Sequence, residues 1–365
     1  MLPVFVGCSS ASFLIGTDRT LWASGKNSCG RLGVGDTEDR SELEQVGGVC
    51  DVVQVSCTWR HVLCLDSQGD VWSWGWNKHG QLGLGDFEDR HEPQRVPGLK
   101  NIIHVSAGAR HSLCIDAEGI LKSCGSNDVH QLPQGRASLS YHTFQESNPD
   151  FLNPKDPVQS AHAGFVHSTV FLKQDKQIMT IGAGEPGSER RSRTTSYISP
   201  VELQSTPKQV FVGHYTVCIV DTEDDLWMYG KNNKGQQGTP FTDQILQPSR
   251  LERFSSNVIT EVSIGGSHTM FLDSQGNCYG VGSNSEGQLG LEYEQIVSKP
   301  TRIPLDTTIV SISCGSSHSG AVDENATVWV FGANDCGQLG LQGQSRMSFV
   351  VRPTPLHSTK KSAKG

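Results

Sequence analysis

The chain of 365 residues contains no apolar run of about 18 residues, the length a membrane-spanning helix needs, so no membrane partner is expected. Its opening, Met-Leu-Pro-Val-Phe-Val-Gly-Cys, lacks the basic-then-apolar order of a secretory leader. A cytoplasmic location is expected, with the nucleus as the alternative. Basic residues are also short: 30 Lys and Arg stand against 38 Asp and Glu, a net charge of −8. Nucleic-acid affinity rests on basic side chains that neutralise phosphates, so no nucleic-acid partner is expected. None of the 11 cysteines lies in a CxxC pair. Cys64, Cys114 and Cys218 alternate with Leu, Ile and Val, which reads as small buried thiols in a reducing compartment and not as disulfide or zinc partners. No glycine-rich stretch is closed by Lys-Ser or Lys-Thr or opens a helix, so no nucleotide cradle is expected. The reading therefore includes no cofactor, metal or catalytic residues.

Glycine, in contrast, is abundant at 40 residues. One glycine recurs after an apolar or aromatic stretch: Gly25, Gly75, Gly125, Gly182, Gly230, Gly282 and Gly332, at spacings of 50, 50, 57, 48, 52 and 50. A period of this size marks a repeat array, because each unit is one supersecondary element that cannot bury its own faces. Within a unit an alternating strand runs into Gly-x-x-His, then a second strand, an Asp-x-x-Gly turn, and a third strand ending at the marker glycine. Asn-x-x-Gly-Gln-Leu-Gly follows. Period-two stretches such as Val71 to Trp74, joined by turns like "DSQGD", are antiparallel hairpin signals. The expected fold is all-β, with seven four-stranded blades and scarcely any helix.

These residues resemble the regulator of chromosome condensation (RCC1) repeat, a seven-bladed β-propeller family. The Gly-Gln-Leu-Gly signature stands at residues 80–83, 287–290 and 337–340, with Gly-Arg-Leu-Gly at 30–33 and Gly-Gln-Gln-Gly at 235–238. The third repeat carries His130-Gln-Leu-Pro133, and the fourth has lost the signature. The resemblance covers one domain over residues 1–357, followed by a short, basic, flexible tail at 358–365. The chain begins mid-repeat, without the Pro-bearing strand that precedes the other units, and "VVRPTPL" at 350–356 supplies such a strand at the other end. The expectation is that this C-terminal strand completes the first blade and closes the ring.

The recurring histidines His61, His111, His167, His268 and His318 are spread one per blade, which tetrahedral metal coordination cannot use. They read as structural, each holding turn backbone. Departures from the repeat carry more information. The two residues before each histidine position are small in Gly266-Ser267 and Ser316-Ser317 but become Trp59-Arg60, Ala109-Arg110, Phe165-Val166 and His214-Tyr215 in blades two to five. Aromatic residues and Arg dominate interface hot spots, so Trp59, Arg60, Arg110, Phe165, His214 and Tyr215 are the expected partner-binding rim, against ordinary local packing. Trp59-Arg60-His61 also resembles a Gly-Trp-Arg-His-Thr motif of a plant photoreceptor of that family, in a single copy. Trp76, and the basic group Arg190, Arg191 and Arg193 in a polar insertion at 184–197, are accessory candidates. A second insertion, at 134–157, reads as a long polar loop.

The function expected is a non-enzymatic protein–protein scaffold or adaptor, a monomeric propeller within a larger complex. The resemblance implies an alternative, nucleotide exchange or regulation on a small Ran-like GTPase. Exchange in that family is implied to use a β-wedge on the third blade, with a basic N-terminal tail for nucleosomes, whereas blade three here reads "CGSNDVHQL".

Overall fold

The computed structural model describes residues 2–135, 138–150, 152–153, 155–182, 198–239, 242–292, 295–341 and 349–356. Within them the chain forms seven antiparallel sheets of four sequential strands each, the blades of a propeller. Blade two shows the plan: inner strand Val52–Cys57, second strand His61–Asp66, third strand Val71–Gly75 and outer strand Arg90–Arg95. The second strand is buried at all six positions, whereas the outer one is mostly exposed. Neighbouring blades cover both faces of the second strand, so its sequence runs apolar without alternation.

Three local devices build each blade. In the hairpin turn Asp66 accepts the Gln68 and Asp70 amides, and its second oxygen takes the Trp72 indole N–H at 2.9 Å. Asp221 and Asp323 hold Trp227 and Trp329 in the same way. In the loop after the third strand, the buried Asn77 accepts the Leu82 amide at 3.0 Å, an arrangement repeated by Asn27, Asn127, Asn284 and Asn334. At Gly75 the backbone takes φ of 95° and a Cβ would fall 2.4 Å from the Arg60 carbonyl oxygen, so only glycine fits. The acid pairs of the outer loops are structural too, because Asp86 binds Asn77 and pairs with Arg90.

Between blades runs a relay of side chains. His61 Nε2 donates to Ser112 Oγ of blade three at 2.9 Å, and that hydroxyl donates onward to the Gln81 carbonyl of blade two at 2.7 Å. Because the hydroxyl hydrogen is spent on the carbonyl, the ring must be the neutral Nε2–H tautomer. His111–Ser168–Gln131, His268–Ser319–Gln288 and His318–Ser12–Gln338 repeat it. The expected role of these histidines was to hold turn backbone. For all but His167, the Nε2 partner is instead a hydroxyl on the next blade. The same four seams carry a second clamp on the inner strands, in which Ser56, Ser106, Ser263 and Ser313 accept the amides of Ala107, Ala163, Cys314 and Gly7.

The other three seams lack both. Between blades one and two, Ala11 replaces the histidine and Val62 the hydroxyl. Between four and five, Val217 leaves buried His167 Nε2 without a partner among the described residues. Between five and six, Thr216 replaces the histidine, and Thr269 keeps only the bond to the Gln236 carbonyl.

Several expectations need correction. The strand Phe349–Leu356 does not complete the first blade. It pairs with Val328–Ala333 as the outer strand of the seventh, while blade one is complete in Val4–Gly7, Ala11–Ile15, Leu21–Gly25 and Arg40–Gln45. The repeat phase that matters is therefore inner strand first. The ring closes laterally, through the His318–Ser12 relay, the Ser313 clamp and a Ser316 amide to Cys8 carbonyl bond of 3.0 Å. The stretch 134–157 is not a loop throughout, because Ser140–Glu146 pairs with Leu121–Ser126 as the outer strand of blade three. Cys64, Cys114 and Cys218 are buried free thiols as expected, but Cys8 and Cys57 are joined in a disulfide across the first seam, Cα atoms 5.6 Å apart. Cys8 occupies a position that is glycine in blades three to seven, where a Cβ would strike the blade's own histidine ring or, at Gly213, the Ile264 side chain. Ala11, lacking a ring, makes room for it.

Val217→Thr should supply the missing acceptor to His167, at constant shape, and raise stability by about 1 kcal/mol. Ser12→Ala should orphan buried His318 at the closing seam and cost about 1–3 kcal/mol. Urea denaturation of both variants reads the difference, and equal midpoints would remove the relay from the account of ring stability.

Candidate functional site

In each blade the turn between the inner and second strands lies at the same end as the loop after the third strand, because the strands alternate in direction. Backbone bonds fasten the two: Trp76 N to Arg60 O at 2.9 Å, Ser126 N to Arg110 O at 2.8 Å, and Lys231 N to Tyr215 O at 2.9 Å. The residue before the histidine position and the residue after the marker glycine are thus forced side by side, on the rim that surrounds one end of the central channel.

The large residues at these positions meet. Trp59 packs edge-on against Trp76, ring centroids 5.4 Å apart, and tilted against Phe165 at 6.0 Å. Phe165 continues to Tyr215 at 5.1 Å and to His214 at 6.1 Å. The Arg60 guanidinium lies 4.3 Å over the Trp59 ring, within cation–π reach. Trp59 of blade two reaches Phe165 of blade four because blade three presents only the small, buried Ala109 between them, while the inner turns converge on the axis. Below the cluster the inner strands line a cavity of about 390 Å³ whose wall includes Thr58, Ala163 and His214.

The aromatic and arginine side chains of the cluster are each half-buried, neither sealed in the core nor free in solvent. Trp59, Arg60, Phe165, His214, Tyr215 and Trp76 therefore form one continuous surface. Arg110 stands at its edge, outside the ring stack, near enough for its charge to add to burial in depressing the His79 pKa. Arg190, Arg191 and Arg193 lie outside the described residues.

Two members escaped the sequence reading. His79 packs on Trp76 with centroids 5.1 Å apart, and Lys231 Nζ lies 5.1 Å over the Tyr215 ring. The signal for Lys231 was present, since it follows Gly230 as Trp76 follows Gly75. A third, Arg31, replaces the glutamine of the first Gly-Gln-Leu-Gly loop. Its Nη1 donates to the Trp59 carbonyl at 2.7 Å, and burial, then the neighbouring Arg60, lower its pKa to about 10.

The cluster presents aromatic faces and a guanidinium group. Among the described residues no cluster of His, Cys, Asp and Glu could hold a metal ion. Burial raises the pKa values of the free thiols of Cys64, Cys114 and Cys218, which makes them poor nucleophiles.

Known proteins resemble this chain in two ways. The model of the regulator of chromosome condensation (RCC1) repeat matches residues 19–65, 68–115, 223–272 and 275–322, more than half of the chain. A second model of that repeat matches 52–81, 102–131, 259–288 and 309–338. The regulator of chromosome condensation of Homo sapiens is 28% identical over 187 residues, 48% of this chain and 43% of that one. The ultraviolet-B receptor UVR8 of Arabidopsis thaliana is 30% identical over 138 residues, 37% of this chain and 31% of the receptor. Protein RCC2 of Homo sapiens is 38% identical over 73 residues, 20% of this chain and 14% of its own length. The matched stretches thus span less than half of each relative. In structure, Prp20p of Saccharomyces cerevisiae superposes with a TM-score of 0.82 at 20% identity, covering 98% of this chain and 88% of that one. Human WBSCR16 gives 0.77 at 20% identity, covering 93% and 94%. At that identity the likeness is one of fold.

The relay histidines set a pH dependence. Burial lowers the pKa of His61, His111 and His268 to about 3 and of His318 to about 4, against 6.5 for a free ring. The unfolded chain therefore takes up protons before the folded one does, and stability present above 6.5 is lost as pH falls toward 4. Glu261, raised by burial to about 7, acts in the opposite sense, but one carboxyl stands against these four rings and against His162, His167 and His214, which burial depresses in the same way. The urea midpoint should fall between pH 7 and 5, and a flat or rising profile would contradict the assignment.

Proposed function

The chain belongs to the regulator of chromosome condensation (RCC1) repeat family, and from that premise we propose that it is a non-enzymatic adaptor whose rim over blades two to five binds another protein. The observation that carries this reading is the Trp59–Arg60–Trp76–Phe165–Tyr215 cluster. Other blades place Gly266-Ser267 and Ser316-Ser317 at the same turn positions, so the fold itself does not need large side chains there. Half-buried aromatic rings with a stacked guanidinium offer a partner much apolar area at little cost in side-chain entropy, because the rings already hold one another in place. A rigid ring that presents such a surface needs no conformational change to bind.

A second reading is nucleotide exchange on a small GTPase. It is favoured by the likeness in fold to Prp20p, a protein described together with its binding to Gsp1p and histones. The two readings differ in their readout, since an adaptor leaves the GTPase cycle untouched.

With the Trp59→Ala, Arg60→Ala pair, affinity purification should lose at least one partner that the unaltered chain retains, with thermal stability checked in parallel. Retention of every partner would sink the adaptor reading at this rim. Release of labelled GDP from a panel of small GTPases should not accelerate on adding the protein, and acceleration on any member would favour exchange.

A further inference from the structure

We infer that Arg31, buried in the loop after the third strand of blade one, is the positioning residue of the rim, and that its guanidinium fixes the turn presenting Trp59 and Arg60. This rests on the reading of the rim as a binding surface and extends that surface's support to a blade that adds no ring to the stack.

The argument begins with the turn. In six blades the turn between the inner and second strands closes on itself through a backbone bond, as from Gly108 N to His111 O and from Cys8 N to Ala11 O, both at 2.9 Å. The corresponding Thr58 amide of blade two makes no such bond among the described residues. Its turn is held from outside instead. Thr58 Oγ1 donates to the Ala107 carbonyl of blade three, the Trp59 carbonyl accepts Arg31 Nη1 of blade one at 2.7 Å, and the Arg60 carbonyl accepts the Trp76 amide at 2.9 Å. Three consecutive residues are thus fixed by three different blades, and Arg31 supplies the tie at the residue that carries the Trp59 ring.

The second part is what Arg31 replaces. In five blades this loop position is glutamine, and the side-chain oxygens of Gln81, Gln131, Gln236, Gln288 and Gln338 each accept the amide two residues earlier, at 2.9 to 3.1 Å. Arginine has no acceptor to offer. Where that bond is lost, Cys29 takes a left-handed φ of 63°, which none of its five counterparts does. Such a backbone is strained for a residue with a side chain, and persists where the surroundings hold it. The loop of blade one therefore gives up a bond within itself and makes one across the seam.

The guanidinium is aimed by its own loop. Nε donates to the Ser28 carbonyl at 3.4 Å and Nη2 to the Ser28 hydroxyl, which leaves Nη1 directed at Trp59. The Arg31 carbonyl accepts the Trp74 indole N–H at 2.8 Å, so residue 31 is anchored to blade two at both ends. Its side-chain bond falls on the turn and not on the paired strands, where relays and clamps hold other seams.

Arg31→Gln restores the residue of the other loops with its internal bond, so this variant should fold with a urea midpoint close to that of the unaltered chain. The readout is the near-UV circular dichroism of the edge-on Trp59–Trp76 pair, isolated as the difference between each protein and its Trp76→Phe counterpart. That difference should be lost in Arg31→Gln and largely kept in Arg31→Lys, which retains a donor and the charge. Partner recovery by affinity purification should fall by about threefold or more in Arg31→Gln. An unchanged difference in Arg31→Gln overturns the inference, and a lower midpoint alongside it makes Arg31 a brace of the seam alone. Equal loss in Arg31→Lys overturns it too, because the donor would then be irrelevant. Should the difference survive Arg31→Gln while the Trp59→Ala, Arg60→Ala pair loses a partner, only this inference fails. Should the difference be lost while that pair retains every partner, the binding reading fails and the positioning of the turn stands.

Discussion

One donor, the Nε2–H of a histidine buried between two blades, organises this ring. A blade cannot hide both of its faces alone, and neighbouring faces that meet only through apolar side chains could slide past one another. The hydroxyl that receives the histidine proton also binds the carbonyl of the preceding blade's Gly-Gln-Leu-Gly loop, so three elements of two blades are placed by one side chain. The geometry is strict because each atom has a single role: ring donates, hydroxyl accepts and donates, carbonyl accepts. The relay at the seam between blades seven and one links residues 306 positions apart, which makes it the bond that turns an array into a ring.

Where the relay is missing, other contacts bear the seam. Between blades one and two, Trp74 fills the space with its indole N–H on the Arg31 carbonyl at 2.8 Å, its ring against Phe13, and the Cys8–Cys57 link above. Between blades four and five the Phe165 amide reaches the His214 carbonyl at 2.9 Å, and the Phe165 ring lies on Tyr215. The rim thus has two tasks at once. The residues that offer a surface to a partner also hold the seam in which His167 has no hydroxyl to bind.

The seven marker glycines and the Asp and Asn turn residues were legible in the sequence because each acts on backbone a few residues away. The rim was legible for a related reason. Trp59, Arg60, Phe165 and Tyr215 stand where the repeat otherwise has small residues, and in a periodic fold a departure at a fixed position is a departure at a fixed place. Arg31 and His79 were hidden, since each belongs to a loop signature: Arg31 joins the cluster through the Trp59 carbonyl of the neighbouring blade, and His79 through Trp76 of its own loop. The closing strand was misassigned for lack of phase. A repeat written on a line has no beginning, and the Pro-bearing strand at 349–356 can be attached to either neighbour until pairing with Val328–Ala333 is seen.

The sequence alone therefore settled the number of blades, the succession of strands along the chain though not where each blade begins, the turns and the positions free to vary, all of which depend on local periodicity and backbone geometry. Tertiary structure decided which side chains meet across seams: the hydroxyl partner of each histidine, the pairing of Cys8 with Cys57, and the contact of Trp59 with Phe165 across a whole intervening blade. Those contacts depend on how far each blade is rotated about the axis. Packing of the blade faces sets that rotation, and no single repeat encodes it.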